Sequence, residues 1–158
     1  MSVTTGIGWD SHRLEAGRPL ILAGVRVEHD RGLAGHSDAD VLTHAIVDAL
    51  LGAAALGDIG EHFPDTDEAF RGADSLALLR DVVALLGARE ILHVDTTLLM
   101  ERPKLAPHKA TIRETLAGAM GVAPDRVNVK ATTGEKLGFV GREEGVAALA
   151  VATLSRPE

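Results

Sequence analysis

The chain of 158 residues contains no cysteine and no tyrosine, and aromatic residues make up only 3% of it. Without thiols, disulfides, cysteine-bound zinc and thiol catalysis are excluded, so any metal chemistry falls to His, Asp and Glu. Scarce aromatics remove the stacking platforms on which single-stranded nucleic-acid binders rely. A formal charge of −7 argues equally against the basic face of a duplex binder, so no nucleic-acid partner is expected. No apolar run reaches the length of a membrane span, and residues 1–5 carry neither a basic region nor a long apolar stretch. No membrane partner is expected, and the location expected is cytoplasmic.

What is present is a 46% hydrophobic chain whose core must be built from Ala, Val, Leu and Ile. The length suits a single domain over residues 1–158, able to bury roughly two thirds of its unfolded surface. Val3 to Asp10 reads as a strand, and Pro19 to Glu28 as a hairpin turning at Ala23-Gly24. Asp38 to Leu56 reads as a helix, with Ser37 as N-cap, Asp38 and Asp40 in its first turn, and apolar residues at three and four spacing. Gly57 to Gly72, rich in Gly, Pro and Asp, is a loop of functional length. A helix capped by Asp74 spans Ser75 to Leu86, a strand spans Ile91 to Glu101 and breaks at Arg102-Pro103, and a third helix spans Pro107 to Met120 with Gly121 after it. Strands Val127 to Ala131 and Val146 to Leu154 flank the Gly-rich loop Thr132 to Glu144. Helices and strands mix without strict βαβ alternation, which predicts an α+β fold: a mixed β-sheet with helices packed on one face, plus a small β-hairpin.

Two constellations carry chemistry. Asp10 and His12 are two apart on an extended backbone, so both project to one side, while His44 stands on a rigid helix. Two imidazoles and one carboxylate suit zinc and leave a fourth tetrahedral position open. Taken alone, an Asp-x-His pair is more often a solvated strand end than a ligand pair. Asp40, His44 and Asp48 form an i, i+4, i+8 row, in which Asp48 is placed to hydrogen-bond the His44 ring, or else Asp40 and Asp48 are simple exposed helix residues. The second constellation is Lys130 to Arg142, where Thr132, Thr133, Glu135, Lys136 and Arg142 combine hydroxyls, a carboxylate and cations suited to a diphosphate with Mg²⁺. Alone, it also reads as a surface turn.

Together the segments resemble one family. Gly8-Trp9-Asp10-Ser11-His12-Arg13-Leu14, Arg18 to Val25, His36-Ser37-Asp38-Ala39-Asp40, Leu51 to Gly60, Phe63-Pro64-Asp65-Thr66-Asp67 and Lys130 to Arg142 are similar, in order and spacing, to the 2-C-methyl-D-erythritol 2,4-cyclodiphosphate synthases of non-mevalonate isoprenoid biosynthesis. The resemblance implies a CMP-releasing cyclase, a phosphorus-oxygen lyase. In that family the 2-phosphate of 4-diphosphocytidyl-2-C-methyl-D-erythritol 2-phosphate attacks the β-phosphate of the same molecule.

Carried over residue by residue, the resemblance implies zinc on Asp10, His12 and His44, and Mg²⁺ or Mn²⁺ on Glu135. His36 and Thr133 become the catalytic pair that stabilises the transition state, His36 lying directly before the helix start, where backbone N–H groups face an anion. Substrate binding falls to Asp10, His12, His36, Ser37, Asp58, Ile59, Gly60 and the covering segment Phe63, Pro64, Asp65, Thr66 and Asp67. The nucleotide half falls to Met100, Lys104, Leu105 and Ala106, and the phosphates to Thr132, Thr133, Gly134 and Glu135. Phe139 and Arg142 match residues lining a cavity on the threefold axis of a homotrimer whose sites lie between neighbouring subunits, where isoprenoid diphosphates are a hypothetical ligand. Gly134 departs from the family, which commonly has a third Thr before the acidic residue. The length further predicts an enzyme that stands alone rather than fused to a cytidylyltransferase. A zinc-dependent phosphoesterase and a non-catalytic isoprenoid-diphosphate-binding module are the competing readings.

Overall fold

A computed structural model of the protein describes residues 2–70 and 74–158. Residues 71 and 72 of the long loop read above lie outside the described residues. Among the described residues, seven strands and five helices follow in the order β1 (Val3–Ala16), β2 (Leu20–Leu22), β3 (Val25–Val27), β4 (Arg31–Leu33), α1 (Val41–Ala53), α2 (Ile59–His62), α3 (Ser75–Leu85), β5 (Ile91–Leu99), α4 (Lys109–Met120), β6 (Val127–Thr132), α5 (Gly138–Gly141) and β7 (Gly145–Ser155). Short 3₁₀ turns precede α3, α4 and β6.

The main sheet has the order β4-β1-β7-β5-β6, parallel only between β5 and β6, and β2 with β3 forms the separate hairpin. This is the expected α+β arrangement. Helix α1 lies across β1 and β7, and α3 and α4 continue the helical layer. The core is aliphatic as composition required: Leu42, Ile46 and Leu50 of α1 are fully buried with Leu79, Leu98, Ile112 and Leu116. The other sheet face leaves large apolar side chains in the open, with Ile7 70% and Trp9 52% exposed.

Period-two alternation decides where α1 sits. Gly6 and Gly8 fall on the helix-facing side of β1, and a Cβ at Gly8 would overlap the Ala45 carbonyl oxygen, as one at Gly6 would overlap that of Ala49. Small residues on both surfaces thus let helix and strand backbones approach closely. Asp10 and His12 are the next residues on that face.

The largest departures from expectation are two boundaries and three short elements. Strand β1 runs past Asp10 to Ala16 because its second half pairs with β7 and with β4, Leu14 opposite Leu33. Three-residue β4 has too little pattern to be seen in the sequence. Helix α1 begins at Val41 rather than Asp38: its N-cap is Asp40, whose carboxylate accepts from Thr43 N, and not Ser37. Two single-turn helices, α2 and α5, occupy stretches expected to be loop.

Candidate metal centre and substrate cavities

Asp10, His12 and His44 converge. Asp10 Oδ2 lies 2.7 Å from His12 Nε2 and 3.1 Å from His44 Nδ1, and the two ring nitrogens are 3.3 Å apart. Bond lengths of roughly 2.0–2.1 Å to a tetrahedral zinc place neighbouring ligand atoms roughly 3.3 Å apart, so the trio fits such an ion with little movement. The far side of His12 fixes its proton: Nδ1 faces the Ala34 carbonyl at 2.9 Å, which can only accept, so Nε2 offers a lone pair to the cluster. Burial alone would raise the Asp10 carboxyl, yet the adjoining His12 and His44 imidazoles hold it below the ordinary value. Burial would lower His12, but the Asp10 carboxylate beside it keeps it above the ordinary value. Lone pairs and negative charge focused on one point are the electrostatics of a cation site. Among the described residues no other group of three such side chains converges.

A cavity of about 460 Å³ opens over this cluster. Asp10, His12, His36, Ser37 and His44 line one side, and Ile59, Gly60, Phe63, Pro64 and Asp65 line the other, with Gly35 and Leu78, which the sequence did not single out. His36 Nε2 faces the Asp67 carbonyl at 3.2 Å, linking the two sides. Asp58 caps α2, accepting from Glu61 N at 3.0 Å. Thr66 is exposed.

Three expectations about this end need correction. Asp48 does not support His44; it accepts from Ile59 N at 2.7 Å and so ties α2 to α1. Burial lifts its carboxyl above the ordinary value against that hydrogen bond. Asp40 is not an exposed helix residue: it is fully buried and accepts from the Ala23 and Gly24 N–H groups as well as Thr43. Burial raises its carboxyl, opposed by these three bonds. His36 stands five residues before α1 rather than directly at its start, so the helix N-terminus does not add to its anion-binding power. The actual partner of the outer face of His44 is Ser75, 2.7 Å from Nε2. Ser75 was legible only as the first residue of a capped helix.

The remaining predicted residues stand elsewhere. Met100, Lys104, Leu105, Ala106, Thr132 and Thr133 line a second cavity of about 230 Å³, together with Glu101, Pro103, Lys109 and Ala131. Glu101, given no side-chain role by the sequence, accepts from Gly134 N at 2.5 Å and pins the loop that carries Glu135. Glu135 itself is exposed with a left-handed backbone, φ 51°. A Cβ at Gly134 would lie 2.8 Å from Gly141 N and 2.9 Å from Leu137 O, so a larger residue there would require the turn to open. Phe139 lines a third, small cavity with Ser11, His12 and Arg13, and Arg142 pairs at 3.4 Å with Glu144. Neither the 100–106 segment nor the 132–135 loop lines the cavity above the metal cluster.

A mixed sheet with one helical layer and a His-His-Asp cluster at the helix–strand contact defines an α+β protein with a candidate metal centre. The chain belongs to the YgbB family, whose model matches residues 3–155. It is 62% identical to the 2-C-methyl-D-erythritol 2,4-cyclodiphosphate synthase of Salinibacter ruber over 94% of this chain and 96% of that one. It is 58% identical to a bifunctional enzyme IspD/IspF of Anaeromyxobacter dehalogenans, over 98% of this chain but spanning only 40% of that relative's length. Among solved structures, a 2C-methyl-D-erythritol-2,4-cyclodiphosphate synthase in its CDP-bound form superimposes with a TM-score of 0.88 at 41% identity, covering 96% of this chain and 99% of that one.

Proposed function

We propose that the chain converts 4-diphosphocytidyl-2-C-methyl-D-erythritol 2-phosphate to 2-C-methyl-D-erythritol 2,4-cyclodiphosphate and CMP, as a single cyclodiphosphate synthase domain in the cytoplasm. The convergence of Asp10, His12 and His44 beneath a cavity, in a member of this family, carries the reading. Asp10, His12 and His44 hold zinc, and Glu135 holds Mg²⁺ or Mn²⁺ with the diphosphate. When bound, these ions screen the phosphates and polarise their oxygens.

The nucleophile and electrophile belong to one molecule, so the side chains mainly fold a flexible polyanion back on itself. His36 and Thr133 donate hydrogen bonds to phosphoryl oxygens, with Ser37 and Thr132 as further contacts and Gly134 letting the loop approach closely. Asp58, Ile59 and Gly60 hold the methylerythritol moiety. Phe63 to Asp67 keep water from the β-phosphate, where it would compete with the internal attack. Met100, Lys104, Leu105 and Ala106 take the cytidine end, consistent with the CDP-bound state of a solved relative.

These roles need both cavities at once, and one chain separates them. The assembly that joins them is a homotrimer in which one subunit's metal end faces its neighbour's Thr132 to Glu135 loop. The exposed sheet face carrying Val3, Ile7, Trp9 and Val151 supplies apolar surface for that assembly. Phe139 and Arg142 then face the threefold axis.

The test is to incubate the protein with the named substrate and Mg²⁺, with and without a zinc chelator, and follow products by ³¹P NMR. A cyclic diphosphate with CMP, lost on chelation, supports the proposal. Acyclic phosphates alone mean a phosphoesterase, and no turnover means a binding module.

A further inference from the structure

The imidazole of His44 faces two ways. Its Nδ1 is the atom turned to Asp10 and His12, while its Nε2 points outward, 2.7 Å from Ser75 Oγ and 3.2 Å from Ser37 Oγ. Ser75 is fully buried and opens α3. Its hydroxyl donates to Asp38 Oδ1, and its backbone N–H donates to Asp38 Oδ2 at 2.9 Å. A hydroxyl has one proton, and a carboxylate only accepts. The Ser75 oxygen therefore meets His44 as an acceptor, Nε2 carries the ring proton, and Nδ1 is left with its lone pair toward the cluster.

We infer that Asp38 and Ser75 are a positioning pair that holds His44 in the one tautomer and orientation able to ligate through Nδ1. The inference rests on the reading of Asp10, His12 and His44 as a zinc site. Asp38 precedes α1, Ser75 belongs to α3 and His44 to α1, so three separate segments meet at one ring nitrogen. Asp38 Oδ1 also accepts from Asp40 N at 3.1 Å, which anchors the carboxylate to the cap of the same helix. Ser37 is the weaker partner: its distance to the ring is longer, and its oxygen also accepts from Ala39 N. His12 is oriented by a backbone carbonyl and cannot be reached by a side-chain change, whereas the support of His44 can be removed one atom at a time.

The experiment titrates chelator-stripped full-length protein with zinc(II) against a chromophoric chelator. Circular dichroism monitors the fold, and ¹⁵N NMR of the metal-free protein reads the His44 tautomer. Ser75→Ala is expected to lose about 10- to 100-fold in zinc affinity, the usual cost of removing an outer partner of a metal-bound His, and Ser75→Thr to recover most of it. Ser37→Ala loses less than Ser75→Ala. Wild type shows His44 protonated at Nε2, and Ser75→Ala shows a mixture of tautomers. If Ser75→Ala does not fold, Asp38→Asn takes its place, since an amide can donate to Ser75 and reverse the chain of bonds; it too is expected to lose zinc affinity. Wild-type zinc affinity in a folded Ser75→Ala or Asp38→Asn protein overturns the pairing. Failure of the wild-type protein to bind zinc overturns the metal reading itself.

Discussion

The two ends of the molecule that bear chemistry are built differently. At the metal end the three candidate ligands are half-buried, and both imidazoles are held from behind: His12 by Ala34, and His44 by Ser75, which bonds Asp38 in turn. At the phosphate end, Thr132, Thr133, Glu135 and Lys136 are all exposed, and the loop is pinned chiefly through its backbone by Glu101. The difference is that the chain pre-forms its candidate metal cluster by itself, at the cost of burying charge, while the side chains of the Thr132 to Lys136 loop stay open to solvent. Rigid geometry matters most where ligand atoms must meet a metal within a few tenths of an ångström.

Removing a ligand should break the metal end outright. Asp10→Ala or His44→Ala is expected to lose bound zinc and measurable turnover while keeping the circular dichroism spectrum, because the ligands sit on separate elements each supported by the core. Metal analysis showing undiminished zinc in either variant would rule out the trio. Gly8→Ala comes next. Its methyl has no room beneath the Ala45 carbonyl, so α1 must lift from β1, at a cost of about 3 kcal/mol in denaturant unfolding together with weaker zinc binding. A neutral result would mean that the close approach of helix and strand is not what sets the His44 position.

Asp40→Ala should also act through the helix, leaving three backbone N–H groups without their acceptor. The expected loss is about 2–3 kcal/mol, read as a lower urea midpoint. Glu135→Gln sharpens the comparison from the other end. On an exposed side chain it should change stability by no more than about 0.5 kcal/mol and leave zinc content alone, yet shift the Mg²⁺ titration of activity to higher concentration. A Mg²⁺ titration identical to wild type would remove Glu135 from the second metal.

Much of this asymmetry was legible in the sequence, and its limits have physical causes. The alternation of β1 placed Asp10 and His12 on one side correctly, since a two-residue period holds wherever the strand ends. The helix carrying His44 was found from its apolar spacing, but its start was set three residues early. Asp38, Asp40 and Ser37 all have cap chemistry, and only tertiary contacts with the hairpin turn and with α3 decide among them. The same ambiguity hid Ser75, whose side chain serves a ring 31 residues away. Helical periodicity offers Asp48 either to His44 or to solvent, and Ile59 N claims it instead, which no local pattern announces. The three-residue β4 exists because β1 offers it an edge, so its cause lies in the partner.

In the proposed assembly, a complete site combines the metal end of one subunit with the phosphate end of its neighbour. The most direct measurement mixes two separately inactive proteins, His44→Ala and Thr133→Ala, under conditions that exchange subunits, and assays cyclic diphosphate formation. With head-to-tail interfaces assorting at random, about a quarter of the sites combine two intact halves, so activity should reappear on mixing. A mixture as inactive as its two components, with subunit exchange verified by mass spectrometry, would contradict the shared site and place the whole reaction within a single chain.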